Sequence, residues 1–196
     1  NKNGQPWWER DITNLVLLNR NHASNVMYSI GNEIPEQGSA QGLKYTKLLQ
    51  DLIHRLDGTR PCTQGMDQGT APMYSGVWHY IDIPGFNYRL HVYEEGYAKA
   101  TKGFVLGSET ASTISSRGVY KFPVEEVHGT QYPDGQISSY DLESCIWSNL
   151  PDDDWMWQDK KPWVIGEFVW TGFDYLGEPT PYDEYWPSRS SYFGIY

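Results

Sequence analysis

The chain has 196 residues, enough for one well-buried domain, and its formal net charge of −10 argues against nucleic acid or an anionic membrane surface as a partner. Nine Trp and fifteen Tyr side chains are suited to stacking on a neutral sugar, although we expect most of them to fill a core. Two cysteines cannot form a disulfide framework, and no apolar run approaches the roughly 20 residues of a membrane span.

The predicted elements are helices and strands that mostly alternate along the chain. They are a helix over 12–20, a strand over 25–33, a helix over 40–56, strands over 60–66 and 80–88 joined by a loop, a weak helix over 94–101, and strands over 103–109 and 162–170. Residues 111–161 lack periodicity, which is typical of a long loop over an active site, with one short helix predicted over 140–149. This order predicts an α/β fold with a parallel sheet, either open or the second half of a barrel.

Two of the predicted strands end in a glutamate. Glu33 closes the first strand directly after Asn32, and Glu109 closes the strand over 103–109. In parallel α/β folds the chemistry gathers at the carboxyl ends of strands, and paired carboxylates there suit glycoside hydrolysis. A structural salt bridge or a solvated position explains either glutamate equally well when it is taken alone. On the last strand, Glu167 and Trp170 should face opposite sides, and we expect Trp170 to point into the site.

Three motifs in the chain resemble a known family. They are Asp11–Leu15 with Tyr28–Glu33, Gly107–Thr110 continued to Gly118, and Gly166–Pro179. In this order they resemble the acid/base region, the nucleophile strand and the last barrel strand of glycoside hydrolase family 2, in its β-galactosidase-like branch common in gut bacteria. Gly-Asn-Glu alone would be a weak signal, but the three motifs together are specific and span most of the chain.

The resemblance implies a (β/α)8 TIM barrel, of which residues 1–196 would hold about strands four to eight. The chain would then be a partial catalytic domain of a longer multidomain enzyme. The resemblance also implies a retaining mechanism with Glu33 as general acid/base and Glu109 as nucleophile. Asn32 would bind the sugar 2-hydroxyl, Tyr88 would orient the nucleophile, and Trp170 would form an apolar wall against the sugar ring.

A terminal β-D-galactoside is the expected substrate. The segment 171–184 contains no Lys or Arg, which disfavours the carboxylate of a uronic acid. β-Glucuronidase and β-mannosidase activity remain alternatives within the family. From a different class, a non-catalytic carbohydrate-binding fragment could use Trp7, Trp8, Trp155, Trp157 or Trp170 as stacking platforms.

The expected partner is a carbohydrate, with no nucleic acid and no membrane. No cofactor is required by the sequence and no metal ligands are predicted, although a structural or activating divalent metal ion stays open. An isolated half-barrel would expose its sheet edge, so we expect this piece alone to be inactive without the missing N-terminal barrel half or self-association. The resemblance alone suggests a periplasmic or extracellular bacterial location.

Overall fold

The computed structural model describes residues 7–172 with the exception of positions 117, 130, 131 and 135. The helices are α1 (Trp7–Asn19), α2 (Ala40–Leu56), α3 (Ala71–Ser75), α4 (Val77–Tyr80), α5 (Tyr93–Lys99) and α6 (Pro151–Asp159), and short 3₁₀ helices cover Pro35–Gly38 and Leu90–Val92. The strands are β1 (Tyr28–Asn32), β2 (Cys62–Met66), β3 (Ile83–Asn87), β4 (Val105–Ala111), β5 (Val127–His128), β6 (Glu143–Ser144) and β7 (Val164–Trp170). Within this described part, no helix is long and apolar enough to cross a membrane.

The first of two compact units comprises Asn1–Asn87 and His91–Ser108. Its strands lie side by side in the order β1, β2, β3 and the beginning of β4, and β1, β2 and β3 are parallel. Every residue of β2 and of β3 is buried, as is usual for parallel strands covered on both faces. In the register of this sheet, Asn32 lies beside Gly65, and Gly65 lies beside Gly85.

Helix α2 begins after the cap residue Ser39 and ends before Asp57. The Ser39 side chain accepts a hydrogen bond from the Gly42 backbone N–H at 3.3 Å, which is the usual N-terminal cap. Leu52 and Ile53 are buried, so the face of the helix that carries them packs against the core. The observed bounds coincide with the predicted helix over 40–56.

Asp57 connects the end of α2 to β1 and to the loop before β2. Its carboxylate accepts hydrogen bonds from the Tyr28 hydroxyl at 2.9 Å, the Thr59 backbone N–H at 3.0 Å and the Arg60 guanidinium at 2.8 Å. A further bond from the Thr59 hydroxyl is the largest of the effects that hold the pKa of Asp57 well below its ordinary range. The ionised carboxylate therefore stabilises this corner of the fold.

Aromatic side chains fill the core beneath β3. The Phe86 ring stacks on Tyr93 with centroids 4.4 Å apart and meets Trp78 at 4.5 Å. The Trp78 indole N–H donates to the carbonyl of Gly96 at 3.0 Å, so its one polar group is satisfied inside the core. These three rings confirm that part of the aromatic content serves packing.

The second unit comprises Tyr88–Leu90 and Glu109–Tyr196. Here the end of β4 lies beside β7, and β5 forms a separate two-stranded ladder with β6. Ile114, Ile137 and Cys145 are buried together and form a small core beneath the long connection between β4 and β7.

Two predictions of local structure are wrong. The predicted helix over 140–149 is absent, and β6 occupies part of that range, while a helix forms directly afterwards as α6. Pro151 at the start of α6 and the acids Asp152, Asp153 and Asp154 in its first turn are typical helix-start signals, but the helix lacks an apolar stripe. The loop predicted between β2 and β3 contains the short helices α3 and α4.

Candidate active site

Asn32 and Glu33 stand at the carboxyl end of β1, in the first unit. The Glu33 backbone N–H donates to the carbonyl of Gly65 at 2.9 Å, and this bond continues the pairing of β1 with β2 by one residue. Glu33 has a φ of 48°, in the left-handed region that non-glycine residues seldom adopt. The chain therefore turns sharply at Glu33, and both side chains are exposed.

Asn87, the last residue of β3, is bonded to both of these side chains. Its amide nitrogen Nδ2 donates to Asn32 Oδ1 at 2.8 Å and to Glu33 Oε1 at 2.9 Å. Its amide oxygen Oδ1 accepts the hydroxyl hydrogen of Ser108 at 2.8 Å. Asn87 is completely buried, so these bonds link a shielded amide to two exposed functional groups.

Two strand glycines make room for this network. A Cβ atom at Gly65 would lie 2.6 Å from Asn87 Oδ1 and would also collide with Asn32 Oδ1, while one at Gly85 would lie 2.6 Å from Ser108 Oγ. Real Cβ atoms do not approach this closely, so an alanine at either position would displace the polar side chains. A glycine inside a strand often marks such a close approach.

Glu109 lies near the end of β4, in the second unit, and Tyr88 is its partner there. The Tyr88 hydroxyl donates to Glu109 Oε1, and the Tyr88 backbone N–H donates to the Glu109 carbonyl at 2.7 Å. Tyr88 is buried and has a φ of 58°. Tyr88 and Glu109 are therefore in direct contact, and the catalytic role predicted for each stays a prediction.

Two further acids hold the residues that follow Glu109. The Thr110 hydroxyl donates to Glu167 Oε2 at 2.6 Å, and the Ala111 backbone N–H donates to Asp154 Oδ2 at 3.0 Å. Burial raises the pKa of Asp154 to about 7, and the charge of Glu167 adds to this rise. Glu167, which the sequence analysis weighed against Trp170, thus supports the end of β4.

Trp170 is the last residue of β7. Its carbonyl accepts a hydrogen bond from the Thr113 backbone N–H at 2.9 Å, and its side chain is 37% exposed. The side chain is thus accessible at the strand end where an apolar wall is predicted. The part of the last motif beyond residue 172, including most of the segment 171–184, lies outside the described residues.

The described residues offer two groups of possible metal ligands: His54, Cys62 and Asp82, and Glu126, His128 and Asp153. In the first group the Asp82 carboxylate already accepts hydrogen bonds from the His54 ring and the Cys62 backbone N–H. Burial also raises the pKa of the Cys62 thiol to about 12, so at neutral pH it is protonated and poorly suited to metal binding. Neither group includes a predicted site residue.

Comparison with known proteins identifies the family. The sequence profile of the glycosyl hydrolases family 2 TIM barrel domain matches residues 3–184. The chain belongs to glycoside hydrolase family 2. It is similar to a β-galactosidase of Bacteroides ovatus, with 32% identity over 96% of this chain and 27% of that protein. It is also similar to a putative β-glucuronidase of Formosa agariphila, with 26% identity over 88% of this chain and 18% of that protein.

Solved structures agree with this membership. A glycosyl hydrolase family 2 member from Bacteroides cellulosilyticus matches with a TM-score of 0.61 and 27% identity, over 87% of this chain and 18% of that one. A β-D-glucuronidase from Dictyoglomus thermophilum has a TM-score of 0.70 at 18% identity, over 96% and 32% of the two chains, which supports the fold alone. The predicted family and the TIM-barrel fold are confirmed, and the chain spans roughly a quarter or less of the curated relatives that it matches.

One residue of this family 2 chain was missed by the sequence analysis. Asn87 lies within the predicted strand over 80–88 and has no predicted role, yet it bonds two of the predicted site residues. The available signals were its position directly before Tyr88 and the strand glycines at 65 and 85. Strand glycines indicate that another backbone or side chain approaches the strand closely at these positions, but they do not identify Asn32, Glu33 and Ser108 as the partners of Asn87.

Proposed function

We propose that the protein containing this chain is a retaining exo-β-glycosidase that removes terminal β-D-galactosyl residues. The observation that carries this proposal is the different bonding of two strand-end glutamates in a family 2 chain. Glu33 Oε1 accepts an amide N–H from Asn87, and Glu109 Oε1 accepts a phenol hydrogen from Tyr88. Each carboxyl group is thus held through its Oε1 atom, and we assign the reaction to Oε2.

In the first step Glu109 attacks the anomeric carbon of the sugar. As the C–O bond to the leaving group breaks, its electron pair passes to the glycosidic oxygen, which takes the proton of Glu33. The sugar is then bound covalently to Glu109. In the second step Glu33 removes a proton from water, the water oxygen attacks the anomeric carbon, and Glu109 leaves as a carboxylate. Two inversions give overall retention.

The surrounding residues have roles in this scheme. Tyr88 donates to an ionised Glu109, which keeps the nucleophile oriented before attack. Asn32 hydrogen-bonds the sugar 2-hydroxyl, a contact that strengthens in the transition state. Trp170 presents its accessible ring to the apolar face of the sugar. The carboxyl groups of Glu33 and Glu109 should stand about 5–5.5 Å apart in the complete protein, as retention requires.

The similarity to a β-galactosidase over nearly the whole chain favours galactose as the sugar. The similarity to a putative β-glucuronidase keeps that activity as the second candidate. The absence of Lys and Arg from the segment 171–184 argues against an anionic sugar. We further propose that activity requires the remaining part of the barrel, from the same protein or from a partner, and that this chain alone is inactive.

The test is to incubate the complete protein with 2,4-dinitrophenyl 2-deoxy-2-fluoro-β-glycosides of galactose, glucuronic acid and mannose. Fluorine slows both steps, while the activated leaving group restores the first, so a retaining enzyme accumulates its covalent intermediate. Intact mass followed by peptide mapping should place a fluorogalactosyl group on Glu109. The Glu109→Gln variant should give no adduct and no turnover.

Other results would change the proposal in defined ways. A fluoroglucuronyl or fluoromannosyl adduct on Glu109 would keep the mechanism and replace the sugar. An adduct on another residue would reject Glu109 as the nucleophile. If a folded protein forms no adduct with any sugar, and Glu109→Gln leaves its carbohydrate binding unchanged, the chain is part of a non-catalytic binding module.

A further inference from the structure

We propose that Asn87 is a positioning residue that fixes which atoms of Glu33 and Asn32 face the substrate. The inference rests on the proposed function. It arises from the hydrogen-bond chain in the first unit that runs from Ser108 through Asn87 to Asn32 and Glu33.

The orientation of the Asn87 amide follows from the chemistry of its neighbours. An ionised carboxylate can only accept hydrogen bonds, so the side of Asn87 that faces Glu33 must be its NH₂ group. The Asn87 oxygen then faces Ser108, whose hydroxyl can rotate to donate. The second N–H of Asn87 points to Asn32, which must turn its own oxygen toward it.

The consequence for Glu33 is a defined position for the catalytic proton. Glu33 Oε1 accepts from Asn87 both when the carboxyl group is ionised and when it is protonated, so the proton belongs on Oε2. This arrangement aims the acidic O–H away from the buried amide and toward the exposed side of Glu33. The proton is then available to the glycosidic oxygen in the first step and is recovered from water on the same atom in the second.

The consequence for Asn32 is a defined hydrogen-bond role. Because Asn32 Oδ1 is occupied by Asn87, its Nδ2 group is the end that is available to a sugar. Asn32 therefore donates to the oxygen of the 2-hydroxyl rather than accepting its hydrogen. Gly65 and Gly85 leave room for this network, and the complete burial of Asn87 and its three hydrogen bonds keep the amide from rotating.

The test compares kinetics of the complete wild-type protein and its Asn87→Ala variant. The substrates are 2,4-dinitrophenyl and methyl β-glycosides of the sugar that labels the protein, and the 2-deoxy form of the dinitrophenyl compound. The matched control is Thr63→Val, which removes another buried side-chain hydrogen bond, from Thr63 to the Ile83 carbonyl, in the same sheet.

Methanol leaves from the methyl glycoside only if its oxygen receives the proton of Glu33, whereas dinitrophenolate is stable enough to leave as an anion. In Asn87→Ala, kcat/KM for the methyl glycoside should therefore fall about 10-fold or more beyond any fall for the dinitrophenyl glycoside, within the range of general acid catalysis. For the dinitrophenyl substrate, kcat and KM should fall together, because loss of general base assistance slows breakdown of the intermediate. The rate penalty for removing the 2-hydroxyl should also shrink.

An unchanged ratio of methyl to dinitrophenyl kcat/KM would overturn the role assigned toward Glu33. An unchanged 2-hydroxyl penalty would overturn the role assigned toward Asn32. A purely structural role would lower all rates by one common factor, as any effect of Thr63→Val should. If Asn87→Ala does not fold, Ser108→Ala replaces it as the test, because Ser108 donates the hydrogen bond that orients the Asn87 amide. The same two kinetic ratios should then change in the same direction, by a smaller factor. A wild-type protein without hydrolytic activity would instead reject the proposed function.

Discussion

The buried carboxyl group of Asp154 predicts an unusual dependence of stability on pH. Its pKa is raised from 3.8 to about 7, and the cause is mainly burial. A carboxyl group whose pKa is raised by folding binds its proton more tightly in the folded state. Its stabilising contribution is therefore complete at pH below about 4 and is lost as pH rises toward 7.

The magnitude follows from the size of the shift. Each pKa unit corresponds to about 1.4 kcal/mol, so the whole shift of roughly three units bounds the loss at about 4 kcal/mol. Between pH 5 and pH 8 the loss is at most about 3 kcal/mol, because part of it has already occurred by pH 5. The Asp154→Asn variant has no proton to lose, yet its amide oxygen can still accept the Ala111 N–H.

The assay is urea unfolding of the complete protein at pH 5 and pH 8, with hydrogen–deuterium exchange of peptides from β4 and α6 to assign the transition to this region. Relative to Asp154→Asn, the wild type should lose unfolding free energy as pH rises. Asp153→Asn, which removes a neighbouring carboxylate without touching the Ala111 contact, should keep most of the wild-type slope. Equal slopes in the wild type and Asp154→Asn would refute the reasoning.

Three further predictions concern other parts of the fold. Tyr88→Phe removes the hydroxyl that orients Glu109 and should lower kcat/KM about 10-fold while changing stability by only about 1 kcal/mol, measured by kinetics and urea unfolding; an unchanged kcat/KM would contradict the orienting role. Gly65→Ala should cost about 1–3 kcal/mol in the same unfolding assay and reduce kcat/KM through the displaced amides, whereas Gly31→Ala, where the nearest atom lies at 3.4 Å, should be tolerated. Because folding lowers the pKa of Asp57, its stabilising contribution is present above about pH 4 and is lost as pH falls further. Asp57→Asn should therefore lower the urea midpoint at pH 7 and weaken the loss of stability in acid. Equal urea midpoints of the variant and the wild type at pH 7 would refute this.

Helices with a regular spacing of apolar residues were predictable from the sequence, whereas helices marked only by start signals at their first residues were not. Helix α2 has both an apolar stripe and a Ser cap, and its bounds were predicted correctly. Helix α6 carries only start signals, and it was missed because its apolar residues do not share one face. Short helices such as α3 and α4 have too few turns for a period to be measured.

The sequence by itself determined the family and the residues to examine, because Gly31-Asn-Glu33, Gly107-Ser-Glu109 and the last-strand motif are each contiguous and begin within predicted strands. Tertiary structure decided what holds those residues. The hydrogen bonds of Asn87 to Asn32 and Glu33 join residues 55 and 54 positions apart, and that of Thr110 to Glu167 spans 57. Partners so distant are brought together by the order of the strands in the sheet, which depends on packing between separate elements rather than on a local pattern of residues.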